Sequence, residues 1–291
     1  MGFATCVAPL AILFDQNILA FVLYYVYVVA CWVLGWIVNV KMMIHEENRN
    51  FTTFLLLPTL PQVVAAATGA TLTPFMPTRN LKLALILTSY ICLGWGMIVS
   101  LCIITLYFGS LIKNGLPKIE ISNSTWIVIG PIGHSANSLL QLARHVFELE
   151  NTSLTSTSPT STIFFQNFSN FATAGSFIVG LLLWGFGLFW IGIALTASLY
   201  YMKCFQKGSC PVEDQYPPKR LKFNIGFWTI IFPLATLTFA TFQLTIYTEF
   251  LFFYVMSWIF CGAVLIISLV VHFYTLKSVF FNPDEFWASF R

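Results

Sequence analysis

The chain reads as an all-α, polytopic membrane protein built of helical hairpins, and two observations predict it. Hydrophobic residues make up 58% of its 291 positions and charged residues only 9%, with a mean hydropathy of +0.81. A soluble domain needs roughly a quarter of its residues charged to clothe its surface. The second observation is a succession of apolar runs long enough to cross a bilayer, each needing about 20 residues.

The runs divide the chain as one transporter-like unit over 1–291. The first, 2–14, is short for a span. Full spans are expected over 18–43, 51–72, 81–112, 125–147, 171–202, 223–247 and 251–276. That makes seven full spans and one short one, eight helices in all. The run 125–147 is the least hydrophobic and carries Gly130, Pro131, Gly133 and His134. Polar loops are expected over 148–170 and 203–222.

Charge distribution orients the spans. If they alternate, one side collects Lys41, Arg49, Lys113, Lys118, the five basic residues between 203 and 222, Lys277 and Arg291. The other holds only Arg79, Lys82 and Arg144. Basic residues accumulate on the cytoplasmic side, so the first side and the C-terminus are assigned to the cytosol. The loop 148–170 then lies outside the cytosol. It carries two N-glycosylation sequons, at Asn151 and Asn167. Those at Asn50 and Asn123 fall on the cytoplasmic side, where they go unused.

The same data exclude several classes. A net charge of +3 gives no basic surface for nucleic acid. Five of the seven cysteines (Cys6, Cys31, Cys92, Cys102, Cys261) sit in apolar runs, where a thiol acts as a small hydrophobe. Cys204 and Cys210 match no zinc or redox spacing. No cleavable signal peptide is evident, and Cys6 breaks the myristoylation pattern. The four histidines, 45, 134, 145 and 272, cannot supply two facing mid-span pairs for haem, and no paired carboxylates lie mid-span. No enzyme, cofactor or metal site is expected, and a receptor finds no support.

Prolines recur in alternate spans: Pro58 and Pro61, then Pro131, then Pro233. Proline removes a backbone hydrogen bond and kinks a helix, which hydrocarbon tolerates only where protein or water satisfies the freed group. The expectation is that kinked helices line an interior and straight ones face lipid. The alternative is that proline is simply common in membrane helices.

Three segments carry a family resemblance. FNIGFWTIIFP, from Phe223 to Pro233, resembles the ninth helix of the tellurite-resistance/dicarboxylate transporter family. This is the voltage-dependent anion channel superfamily, which includes fungal sulfite efflux pumps, malate permeases and plant slow anion channels. WIVIGPIGH, from Trp126 to His134, resembles the seventh helix as the sulfite pumps carry it, and LLLPTLPQVVA, from Leu55 to Ala65, resembles the fifth. The resemblance covers nearly the whole chain, in order, and is closest to the sulfite pumps.

It implies ten helices in five hairpins around a quasi-fivefold central pore, with Met1 to Thr5 matching the middle of the third helix. The first hairpin and part of the next helix are then missing, through a misplaced start codon or a truncation. It also implies a gating phenylalanine just before the ninth-helix proline, here Phe232; a packed aromatic is the plainer reading among 30 phenylalanines. Members often form homotrimers, and the plasma membrane is the expected location.

Weak anion contacts are expected from hydroxyls (Thr59, Thr68, Ser135, Ser138, Thr229, Thr236) and from N–H groups freed at kinks. Many such hydroxyls bond a carbonyl one turn back instead. His134 stands where the sulfite pumps tend to have glutamine. It either relays or senses a proton or replaces the amide as a hydrogen-bonding group. Arg144 and His145 sit at the outer mouth, as anion attractors or as ordinary helix-end charges. The functional expectation is an exporter of small anions, sulfite first and C4-dicarboxylates such as malate second. A gated anion channel on the same fold and a truncated, non-transporting relic are the alternatives.

Overall fold

The computed structural model describes residues 2–44, 52–117, 119–151, 159–207 and 225–281. Every regular element among them is helical. Eight α-helices follow in order: α1 (Gly2–Phe14), α2 (Asn17–Ile44), α3 (Leu60–Leu72), α4 (Arg79–Asn114), α5 (Ile129–Asn151), α6 (Pro159–Lys207), α7 (Trp228–Thr248) and α8 (Leu251–Phe281). Five of them hold stretches long and apolar enough to cross a membrane: α2, α4, α6 over Ser169–Tyr201, α7 and α8.

Consecutive helices pair as hairpins: α1 with α2, α3 with α4, α5 with α6, α7 with α8. The odd-numbered helices also pack on one another in a row, α1 on α3, α3 on α5 and α5 on α7, while the even-numbered ones stand outside it. Burial follows that order. Eleven of the 13 residues of α3 are buried. The outer helices expose large apolar side chains, Trp36, Leu182 and Leu269 each by about two-thirds. A chain facing hydrocarbon can leave these uncovered, because lipid replaces the protein contacts that water would demand.

The prolines belong to the inner row, though mostly not as mid-span kinks. Where a continuous span over 51–72 was expected, a 3-10 turn (Thr53–Leu56) precedes α3, with Pro58 in the turn between them and Pro61 in the first turn of α3. A proline is cheapest there, since the first N–H groups of a helix lack intrahelical partners in any case. Pro131 likewise falls in the first turn of α5, behind the 3-10 segment Ile119–Val128. Among the described residues only Pro233, in α7, and Pro9, in α1, lie inside their helices. A third 3-10 turn, Ile225–Phe227, leads into α7, and the segment before α5 packs on both others.

The loop expected over 148–170 is largely helix: α5 runs to Asn151 and α6 begins at Pro159. A polar, Ser/Thr-rich composition predicts a connection, but from Pro159 on it extends an already long helix beyond its apolar part. Of the second expected loop, 203–222, α6 covers the part up to Lys207; the remainder, with Cys210, lies outside the described residues, as do His45, Asn50 and Lys118.

Glycines set how closely the helices approach. A Cβ on Gly35 would lie 2.2 Å from Nε2 of Gln62, whose amide donates to the Cys31 carbonyl at 3.1 Å. A Cβ on Gly69 would lie 2.1 Å from Oγ of Ser89 and 2.5 Å from the Tyr24 hydroxyl. Those two groups hydrogen-bond at 3.2 Å across α2 and α4. Gly69→Ala should therefore force α3 away from both neighbours and cost about 1–3 kcal/mol. Gly185→Ala, with nothing within 4 Å, should be neutral or stabilising. Thermal denaturation in detergent checks both, with several degrees lost in the first variant alone.

Candidate functional site

The site lies where α5 crosses α7. A Cβ on Gly133 would meet Oγ1 of Thr236 at 2.4 Å and the backbone nitrogen of Leu237 at 2.7 Å. One on Gly130 would come within 3.8 Å of the Phe232 ring and 3.9 Å of Pro233. The Gly-Pro-x-Gly motif thus has a mechanical meaning. Its second glycine leaves room for the Thr236–Leu237 backbone of α7, and its proline lies in the first turn of α5. The crossing is tied by Tyr247, whose hydroxyl donates to the Leu140 carbonyl at 2.9 Å.

Phe232 is half-buried beside this crossing. Its ring centroid lies 5.2 Å from that of His134, tilted by 46°. Both nitrogens of His134 are buried without a hydrogen-bond partner, although the residue as a whole is only half-buried. The ring therefore shows a carbon edge while its polar atoms stay unpaired. An unpaired buried polar group costs about 1–3 kcal/mol, a cost that His134 carries at this crossing.

The remaining expected residues fall elsewhere. Ser135 and Pro131 turn toward Met97, Ser100 and Ile104 of α4 and Leu183 of α6, where the Ser135 hydroxyl finds no partner. Pro58 and Pro61 border an apolar groove of about 540 Å³ shared with Phe3 and the Cys31–Gly35 turn of α2. The Pro61 carbonyl accepts from the Tyr27 hydroxyl at 3.1 Å. The hydroxyls of Thr59, Thr68, Ser138, Thr229 and Thr236 each donate to a backbone carbonyl three or four residues back. A hydroxyl has one proton, so none of these five offers a donor to an anion as it stands.

Sequence reasoning missed two residues. His134, Asn137, Gln141, Arg144 and Glu148 recur at three- and four-residue spacing. With Ser138 and His145 they occupy one sector of α5, about 120° wide at roughly 100° per residue. The Gln141 amide donates to Oδ1 of Asn137 at 3.3 Å, and its Oε1 lies 3.4 Å from the Thr71 hydroxyl of α3, which donates to the Ala67 carbonyl at 2.9 Å. At the far end Nε of Arg144 lies 3.7 Å from Glu148, too long for a hydrogen bond, and Nδ1 of His145 lies 3.1 Å from it. The periodicity was visible in the sequence; its meaning depended on which neighbours α5 has.

His272 lies apart on α8, against the Ser268 carbonyl at 2.7 Å. Asn151 ends α5, and Asn167 is exposed on α6 with the sequon's Ser169 buried.

A buried inner row beside exposed apolar helices, with five stretches long and apolar enough to cross a membrane, marks an integral, multi-pass membrane protein. The sequence profile of the voltage-dependent anion channel family matches residues 1–276, and the chain belongs to that family of anion transporters and channels. It is similar to the sulfite efflux pump of Arthroderma otae, 30% identical over 199 residues, which cover 67% of this chain and 45% of that protein. The sulfite efflux pump of Arthroderma benhamiae is 29% identical over 240 residues (80% and 56%). That of Saccharomyces cerevisiae is 24% identical over 260 residues (83% and 55%). The chain spans about half the length of the curated relatives it matches. No solved structure matches it.

The crossing itself is testable. Gly133→Ala should separate α5 from α7, because a backbone atom cannot step aside as a side chain can. A fall in melting temperature exceeding that of Gly130→Ala, whose nearest neighbour lies at 3.5 Å, is the expected reading.

Proposed function

We propose that this chain conducts small anions outward across the membrane, sulfite before malate, along a path between the inner helices that Phe232 closes. The observation that carries the reading is the Phe232 ring held against His134 at the Pro233 turn. An aromatic plug in a narrow apolar constriction blocks ions and resists wetting. Pro233 withholds the N–H that the Thr229 carbonyl would otherwise accept, which gives the turn carrying Phe232 freedom to shift. The relatives named as sulfite efflux pumps favour sulfite over dicarboxylates.

Among the described residues no fixed cation lies beside Phe232, which supports passage over tight binding, since conduction requires sites weak enough to leave. Attraction on the cytoplasmic side comes from the starts of α3, α5 and α7. Their preceding 3-10 segments pack together at one end, and the positive ends of the three helix dipoles face that side. His134 serves as a neutral hydrogen-bonding contact or a proton relay at the constriction. Assembly as a homotrimer and residence in the plasma membrane, with the C-terminus in the cytosol, complete the proposal.

The test is sulfite and malate flux from liposomes carrying the chain or Phe232→Ala. Sulfite flux should rise about tenfold or more in the variant; equal, background-level flux from both would overturn the gate. Orientation is checked separately in cells. Glycosidase treatment should shift the protein's mobility, and the shift should vanish when Asn151 and Asn167 are both changed to Gln.

A further inference from the structure

The groove beside α2 takes no part in the gating reading. Cys31, Leu34, Gly35 and Val38 of α2 form one wall of it, and Pro58 and Pro61, where α3 begins, form another. The polar groups around it already have partners. The Tyr27 hydroxyl donates to the Pro61 carbonyl at 3.1 Å, while the Cys31 and Gly35 carbonyls accept from the amides of Gln62 at 3.1 Å and Asn39 at 2.7 Å. Neither proline has an N–H to offer. Such a wall suits a hydrocarbon ligand.

We propose that the groove holds one acyl chain of an anionic phospholipid whose phosphate meets Lys41. Size, depth and charge carry the proposal.

The size is that of a lipid tail. An apolar cavity of about 150 Å³ binds benzene, and by the same proportion the groove's volume of about 540 Å³ holds on the order of 20 carbons. The groove also opens where hydrocarbon lies. Val26 and Leu34 on its rim are both more than half exposed, on a helix long and apolar enough to cross the membrane. Lipid therefore reaches the groove directly from the bilayer.

The depth is that of one leaflet. From Val26 to Val38 α2 rises about 18 Å, a little more than half of a hydrocarbon core about 30 Å thick. A helix crossing the membrane would need the whole core.

The charge stands where a headgroup would be. Lys41, in the last turn of α2, lies about 4.5 Å further along the axis than Val38. At about 100° per residue it falls within about 20° of Leu34 around the helix, on the side of the groove. It is exposed, and among the described residues it forms no ion pair. In the proposed orientation this end of α2 is cytoplasmic, where the leaflet is anionic and attracts basic residues near its surface.

The experiment offers the purified chain in detergent phosphatidylserine or phosphatidylcholine with identical oleoyl tails, and counts bound lipid by native mass spectrometry. Phosphatidylserine should bind about fivefold more tightly, the worth of one lysine near an anionic surface. Lys41→Gln should bring the two lipids level. Ala30→Trp, which fills the groove from the exposed side of α2, should remove the binding of both. Leu269→Trp, on the exposed face of α8, should bind like the parent. Equal binding of the two lipids by the parent, or an unchanged preference in Lys41→Gln, would overturn the proposal. So would a folded Ala30→Trp that keeps its lipid, which would leave the groove to a protein segment. The lysine variant decides alone if the tryptophan variant does not elute as a folded protein. None of these results depends on Phe232, so the gate and the lipid site stand or fall separately.

Discussion

At Gly133 the backbones of α5 and α7 come so close that no side chain heavier than hydrogen fits between them, and the site depends on that approach. It brings the Pro233 turn against Gly130, sets Phe232 over His134, and aims the polar sector of α5 past α7 instead of into it. Membrane helices gain little from hiding apolar surface from one another, because lipid is equally apolar. Close packing through small residues is the main source of their association. The same device recurs at Gly35 against Gln62, Gly69 against Ser89 and Gly96 against Val63. The inner row is thus assembled by absent side chains as much as by present ones.

That packing also decides which polar groups are available. In hydrocarbon a hydroxyl without a partner is costly, and the helix offers a carbonyl one turn back to nearly every threonine and serine. Thr59, Thr68, Ser138, Thr229 and Thr236 all take that offer. His134 does not take it and keeps both nitrogens unpaired. Amide side chains fall between these cases: Asn137 and Gln141 satisfy each other at long distance and stay exchangeable. Polar side chains not committed to the backbone are therefore concentrated on α5, the least apolar helix of the row.

The fold class was legible because composition and run length are properties of sequence alone. The alternation of inner and outer helices was legible too, through proline, although the physical reason was partly different. Pro58, Pro61 and Pro131 mark helix starts, and only Pro233 and Pro9 interrupt a helix. A proline pattern cannot separate these cases, since a 3-10 turn and an α-helix share the same apolar run. The Ser/Thr-rich stretch around 148–170 misled for the opposite reason: polarity argues for water, not against helix, and α5 and α6 both extend beyond their apolar parts. His134 and Arg144 were singled out as isolated residues, whereas Asn137 and Gln141 acquire meaning only once Thr71 and Gly133 fix the two sides of the sector between them.

The parts arrange themselves along one axis with a consistent electrostatic logic. In the proposed path, helix starts stand at the cytoplasmic end, the Phe232 plug follows, and an arginine offset by Glu148 stands towards the far end of α5. Each attraction is partial: a helix end contributes about half a charge, an amide less, and Arg144 is offset by Glu148. A single buried, unpaired cation would bind an anion more strongly than all of these, and would hold it. A series of weak sites on either side of a movable ring lets the ring, and not the depth of any one site, set the rate of passage.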